Sequence, residues 1–410
     1  MSAVETLEIV RVGAQGDGVA EGIAGPVFVP FTLAGERVAA DVEGERGSLI
    51  SIEKASANRV TPVCRHFGTC GGCAVQHMAR ETYLSWKHES VSAAFRARGI
   101  AVEIAPVIGA IGKRRRATFA ARKTQGGIFI GFHQAGTHDL VAIEECPVLE
   151  PQIVAALPDL KWLVAPLLSR RGEVRVAVTS SHGGLDINLE DADKTLNASL
   201  RAHFAKAVQQ SRFARISIDG DPAMEASKPI QRFGLAEVVP PPGSFLQAVA
   251  GAEAKMAELI LQSAGKVKAV ADLFCGVGAF TFPLAGKARV LACDSDKAAI
   301  AALQFAAKNT QGLKPVEGLV RDLFREPLSG LELKDFDAVV FDPPRAGAEA
   351  QAQRIAKSKV KTVIGVSCNP ATLARDARIL IDGGYILESV TPIDQFLYSP
   401  HVEAVAVFRR

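Results

Sequence analysis

Between residues 267 and 382 the chain repeats one pattern, a short apolar run followed by a turn and a helix-like stretch. Runs at 267–272, 289–293, 317–321, 336–341 and 360–367 read as strands, and stretches after Gly278 and at 296–309, 347–356 and 370–382 read as helices. Alternating βα units predict a doubly wound, Rossmann-like parallel sheet with helices on both faces. Two further strand-like runs, Tyr385 to Val390 and Val402 to Phe408, are joined by too few residues for a crossover helix. The sheet is therefore expected to end in an antiparallel hairpin.

One stretch of this region carries a thiol: Val360-Lys-Thr-Val-Ile-Gly-Val-Ser-Cys-Asn-Pro370. Its first seven residues suit a strand buried on both faces, and Asn369 and Pro370 read as N-cap and first position of the next helix. Cys368 then falls at a strand's carboxyl end, where open α/β sheets bind ligands and a helix N-terminus favours a thiolate. The bland alternative is a buried cysteine acting as a small hydrophobe.

Acids recur at the same edge. Asp272, Asp294, Asp322 and Asp342 follow successive strands, and Asp272-Leu-Phe-Cys-Gly-Val-Gly278 forms the first βα turn. Gly276 and Gly278 allow close backbone approach, but Thr281 stands where a dinucleotide fingerprint has its third glycine. A carboxylate after strand two suits ribose hydroxyls and one after strand three suits an adenine amino group. Acids near the loop suit a cationic, amino-acid-bearing ligand better than a pyrophosphate, so S-adenosylmethionine fits and a dinucleotide fits poorly.

Upstream, Pro240-Pro-Pro-Gly243 breaks regular structure and marks a boundary, giving expected units at 1–55, 56–239 and 240–410. The first is glycine-rich with short apolar runs, as in a small β-barrel. Residues 1–54 carry nine acidic and four basic side chains, which argues against strong phosphate contact and leaves a structural or docking role open. The second unit mixes strand-like runs with helical ones, at 74–98 and 194–210, and is expected to be α+β. It opens on Cys64, Cys70 and Cys73, with Cys146 further on. Four thiolates satisfy either tetrahedral zinc or an iron–sulfur cluster, and their crowding in so long a chain argues against a disulfide framework. Residues 55–125 hold twelve Lys and Arg against three Glu, densest at Lys113, Arg114, Arg115, Arg116, Arg122 and Lys123. That is the strongest nucleic-acid footprint in the chain. The N-terminus lacks a charged segment followed by an apolar one and no apolar run reaches membrane-spanning length, so a cytoplasmic protein without membrane contact is expected.

Taken together, Cys64/Cys70/Cys73/Cys146, Ser244-Phe-Leu-Gln247, Asp272-Leu-Phe-Cys-Gly-Val-Gly278, Asp342-Pro-Pro-Arg345, Ser367-Cys-Asn-Pro370 and His401-Val-Glu403 resemble the RNA uracil-5-methyltransferase family. The resemblance spans the chain and is nearest to the bacterial 23S rRNA branch with a TRAM barrel and a 4Fe-4S cluster. It implies S-adenosylmethionine-dependent methylation of a uridine carbon 5, with 23S rRNA the target and tRNA the alternative, and implies no obligate protein partner. By position, Cys368 matches the nucleophile that adds to carbon 6, Glu403 the base that removes the carbon 5 proton, and Asp342 a group near both donor and base. Gln247, Phe274, Gly276, Gly278, Asp294 and Asp322 match cofactor-contacting positions, and the four cysteines match the cluster ligands. Val249 and Ala279 stand where the family often has Asn. Two other readings exist: an amino-nitrogen methyltransferase, which leaves Cys368 without a role, and a non-catalytic, metal-stabilised RNA-binding assembly factor.

Overall fold

The computed structural model describes residues 3–169, 172–192 and 196–410. Met1, Ser2 and the start of the helix expected at 194–210 lie outside them. Five strands, β1 (Ala3–Val12), β2 (Gly18–Gly22), β3 (Gly25–Val29), β4 (Arg37–Glu43) and β5 (Arg46–Lys54), close a barrel. Leu7, Ile9, Val27, Val29, Val38 and Ala40 fill it, the inward set of an alternating pattern. Helix α1 (Arg80–Arg96) follows the cysteine-bearing segment. It starts six residues later than the sequence suggests, because Ala74 and Val75 donate their N–H groups to the Tyr398 carbonyl instead of to a helical turn.

A second sheet contains β6 (Arg116–Thr124), β7 (Gly127–His133), β8 (Leu140–Ala142), β9 (Glu173–Ser181), β10 (Gly184–Glu190), β11 (Phe213–Ile218) and β12 (Asp221–Glu225), in the order β12-β11-β10-β9-β6-β7-β8. Helices α2 (Pro151–Ala155), α3 (Leu157–Val164) and α4 (Ala198–Gln210) bury Ile153, Leu160, Leu163 and Phe204 against it. A small hairpin of β13 (Gln231–Phe233) and β14 (Ala236–Val238) comes next.

Helix α5 (Ala250–Ala264) then leads into β15 (Ala269–Leu273), α6 (Thr281–Ala285), β16 (Arg289–Asp294), α7 (Lys297–Asn309), β17 (Val316–Val320) and β18 (Ala338–Phe341). The chain ends with α8 (Glu349–Ala356), β19 (Thr362–Ser367), α9 (Pro370–Asp382), β20 (Ile386–Ile393) and β21 (Glu403–Arg409). Strand order is β17-β16-β15-β18-β19-β21-β20, parallel from β17 to β19, with β21 antiparallel to both of its neighbours. The expected terminal hairpin is therefore present. Alternate residues of each central strand face opposite layers: Ala271, Leu273, Val339 and Phe341 meet α8 and α9, whereas Val270, Val340 and Ile364 meet α5. This double burial is why the strands read as continuous apolar runs.

Packing crosses residue 240. Phe233, Ala236 and Val238 share a core with α6 and α7, while Val91, Phe95, Ile100 and Ile104 join the core under α8 and α9. Residues 104–108 also bridge to β20, covering what would otherwise be the sheet's open edge. Among the described residues, no helix is long and apolar enough to cross a membrane.

Candidate active site

The sheet changes winding direction between β15 and β18, its two central strands, and the crevice at their carboxyl ends is where such sheets take ligands. A cavity of about 440 Å³ opens there, lined among others by Gln247, Phe274, Gly276, Asp294, Asp322, Asp342, Cys368 and Glu403. These eight residues span 247 to 403 in the sequence, and strand ends from β15 to β21, with the segment before α5 that carries Gln247, bring them round one space.

The first βα turn is shaped by its backbone. Phe274 has φ 61° and Gly276 φ 52°, both in the left-handed region, and the Gly276 N–H donates to Asp294 Oδ2 at 2.8 Å. Gly278 does not line the cavity; a Cβ there would lie 2.7 Å from the Phe282 ring, so its role is to let the turn pack on α6. Thr281 donates to Asp272 Oδ2 at 2.5 Å. Asp272 is fully buried below the loop, and burial pushes its carboxyl up to about 7. Asp294 also accepts from the Asp296 N–H, and Asp322 accepts from Phe324 N–H at 3.0 Å. Phe324, unremarked in the sequence, sets its ring 5.4 Å from that of Phe274 on the cavity wall. The carboxylates lining the space favour a cationic occupant.

The same cavity is lined by two further acids and a thiol. Asp342 Oδ2 accepts from Gln247 Nε2 at 2.7 Å, and Glu403 Oε1 accepts from Gln395 Nε2 at 2.8 Å. Burial, then mutual repulsion with Glu403, holds the Asp342 carboxyl well above the carboxylate range, and burial pushes Glu403 up to about 7. Glu403 Oε2 is buried and has no protein partner. The Cys368 thiol is pushed up to about 11, first by burial and then by Glu403 and Asp342, with Arg345 opposing. This reverses the expected thiolate. The Asn369 side chain caps α9 by accepting from Ala371 N–H, and the Asn369 N–H donates to Ser367 Oγ, so neither N–H stabilises the sulfur. Arg345 donates to His401 Nδ1 at 2.9 Å, and burial beside that guanidinium lowers His401 to about 4, leaving it neutral.

The basic run fares differently. Arg115 is buried and donates to Glu253 at 2.5 Å and to the Gln247 carbonyl at 3.0 Å, so it fastens the segment just before β6 to α5 and is closed to a polyanion. Its inclusion among RNA contacts is corrected: of the four adjacent cations Lys113 is exposed, Arg114 and Arg116 are half-buried and Arg115 lies in the core. Arg116 donates to the Leu246 carbonyl and stacks 4.8 Å from the exposed Phe245 ring, Arg114 lies over Phe396, and Arg122 pairs with Glu173. Lys113 and Lys123 are exposed. Of the twelve cations counted in residues 55–125, Arg59, Arg65, Lys87, Arg96, Arg115 and Arg122 are ion-paired, so the local charge overstates the free positive surface.

This division predicts opposite phenotypes. Arg115→Ala should lower unfolding free energy by about 3–5 kcal/mol, because it strands the buried Glu253 carboxylate. Lys113→Ala should leave stability within about 0.5 kcal/mol but weaken RNA binding and reduce its salt slope by about one. Urea unfolding and salt-dependent binding titrations separate the two, and a stable Arg115→Ala variant with weakened RNA binding would restore Arg115 to the interface.

The four cysteines 64, 70, 73 and 146 line a second cavity of about 290 Å³, bounded also by Phe245, which lines the first. None is in a disulfide. Burial raises the thiols of Cys70 and Cys146 and pushes Cys73 up to about 11; each of these feels at least one other thiol of the set, Cys64 included. Among the described residues, no group of three or more His, Cys, Asp or Glu is drawn together as a formed metal site.

Sheet order and cavity placement together define a methyltransferase fold. The sequence pattern of tRNA (uracil-5-)-methyltransferases matches residues 113–410, and the chain belongs to that family. It is 49% identical to an uncharacterised RNA methyltransferase of Agrobacterium fabrum over the whole of both chains. Identity is 34% to the 23S rRNA (uracil(1939)-C(5))-methyltransferase RlmD of Edwardsiella ictaluri, over 96% of this chain and 93% of that one. The solved structure of Pyrococcus abyssi tRNA (uracil-54, C5)-methyltransferase in complex with S-adenosyl-L-homocysteine aligns with a TM-score of 0.76, covering 98% of this chain and 99% of that one. At 23% identity that likeness is one of fold.

Proposed function

We propose that the chain transfers a methyl group from S-adenosylmethionine to carbon 5 of a uridine in 23S rRNA. The observation that carries this reading is the single cavity shared by Asp294, Asp322, Asp342, Cys368 and Glu403. Asp294 and Asp322 would hold the donor's ribose and adenine, with Gln247, Phe274 and Gly276 around it, and Asp342 would face its cationic end. Cys368, as thiolate, adds to carbon 6 of the base, and the electron pair of the 5,6 double bond moves toward O4 as an enolate. Carbon 5 of that enolate takes the methyl group and the sulfonium becomes a neutral thioether. Glu403 then removes the carbon 5 proton, the double bond re-forms, and the thiolate leaves. Burial first, and the two acids second, hold the thiol near 11 in the free protein, and a cationic donor placed beside those acids would offset the second of these causes.

The rRNA target is supported by the RlmD relative, and the exposed Lys113 and Lys123, with Arg116 on Phe245, supply cationic and aromatic contacts for an unstacked nucleotide. Mapping 5-methyluridine in 23S rRNA and tRNA from cells lacking the protein tests it: loss from 23S rRNA alone is expected, and loss from tRNA alone would redirect the activity.

Cys64, Cys70, Cys73 and Cys146 would hold a 4Fe-4S cluster as thiolates. Their unpaired thiols, common cavity and mutual repulsion fit a group that takes up negative charge. When bound, such a cluster would supply a covalent tie between the segment before α1 and the β8–α2 connection. Anaerobically purified protein should contain about four irons and four sulfides per chain. Stoichiometric zinc without iron would overturn that assignment.

A further inference from the structure

Gln395, in the connection between β20 and β21, is 1% exposed and belongs to none of the sequence motifs. Its Oε1 faces the Val249 N–H at 3.4 Å, and an N–H can only donate, so the carboxamide orientation is fixed. Its Nε2 then donates to both Gln247 Oε1, at 2.7 Å, and Glu403 Oε1, at 2.8 Å. Gln247, with its oxygen occupied, must turn its own Nε2 to Asp342. One amide thus sets the orientation of a second, and the pair spans the gap between two acids that repel each other.

The connection is also anchored from behind. Asp394 accepts from Tyr83 Oη at 2.7 Å and Lys87 Nζ at 2.9 Å, both on α1, and Lys87 further donates to the Phe396 and His401 carbonyls. Lys87 and Asp394 are wholly buried, so this ion pair is shielded from solvent. Gln395 therefore projects from a fixed backbone and cannot follow its partners if they move.

We propose that Gln395 is a positioning residue for methyl transfer, aligning Gln247 with the donor pocket and holding Glu403 with one oxygen pinned and the other free for the carbon 5 proton. The inference rests on the proposed reaction. The free oxygen matches the unpartnered Oε2, which needs an open lone pair to act as a base. Donation from Gln395 also stabilises the charged form of Glu403, so removing it should raise the pH at which the base becomes active. The charged or titratable groups around the pair are Asp342, Cys368, Arg345, Asp272 and Glu253, and the substitution leaves all of them in place.

The test compares wild type with Gln395→Met, which removes both donors at similar volume, and Gln395→Asn, which withdraws them by one methylene. Turnover on uridine RNA is followed from pH 6 to 9 alongside the Michaelis constant for S-adenosylmethionine and trapping on 5-fluorouridine RNA. For each folded variant, the rising limb should move upward by about one pH unit, with turnover near neutrality down about tenfold and recovering toward pH 9. The Michaelis constant for the donor should rise severalfold and trapping should persist. A pH profile superimposable on wild type, in a folded variant of either kind, would overturn the inference while leaving the reaction intact. Absence of trapping in wild type would remove the reaction and this role together.

Discussion

Cys368→Ala is expected to abolish methyl transfer, with a loss of at least about 1000-fold, while S-adenosylhomocysteine binding stays within about twofold of wild type. The asymmetry follows from position. Cys368 follows β19, whereas Asp294 ends β16 and Asp322 follows β17, on the other side of β15 and β18 in the strand order. Without addition at carbon 6, carbon 5 of uracil is too poor a nucleophile to attack the methyl group. Radiolabel transfer and calorimetric titration of the same preparation measure the two effects. Activity within a few fold of wild type would sink the covalent mechanism, and lost cofactor binding would make Cys368 a packing residue.

Glu403→Gln should separate the two halves of the reaction. The glutamine still accepts from Gln395 but cannot take a proton, so addition and methyl transfer should proceed and elimination should stall. A methylated covalent adduct on ordinary uridine RNA is the expected product, with multiple-turnover rate down by about 100-fold or more. The pH dependence carries a sign. Folding raises the Glu403 carboxyl from 4.5 to about 7, so its basic form predominates only above that range. Wild-type elimination should climb as pH rises through about 7, and Glu403→Gln should lose that limb. Normal turnover without a retained adduct would remove Glu403 from the catalytic set; loss of both adduct and product would place its action before methylation.

Much of this site was legible in the sequence because parallel sheets put chemistry at predictable places. Asp272, Asp294 and Asp342 each end or follow an apolar run, and Cys368 follows another, so strand ends identify them before any contact is known. Local pattern failed where a residue's meaning depends on a distant partner. Arg115 reads as one of four adjacent cations, yet it is committed to Glu253, 138 positions away. Lys87 looks like a surface charge on a polar helix, and its carboxylate is 307 positions distant. Gln395 sits in a connection with no periodicity, so nothing local marks its amide as the bridge between Gln247 and Glu403. The surroundings of the Cys368 thiol are hidden from the sequence for a related reason. A helix N-terminus is visible in Asn369-Pro370, but the burial of the sulfur, and after it the two carboxyls that arrive just past β18 and from β21, outweigh that terminus.

The central claim is that Cys368 bonds to a uracil base during methyl transfer. Protein incubated with 5-fluorouridine RNA and isotopically labelled S-adenosylmethionine should yield a complex stable to denaturation, because fluorine replaces the carbon 5 proton whose loss would release the thiolate in the proposed reaction. Peptide mass spectrometry of that complex should place one methylated nucleotide on the peptide containing Cys368. A methylated RNA product with no covalent complex, or a nucleotide attached to any other residue, would contradict the account.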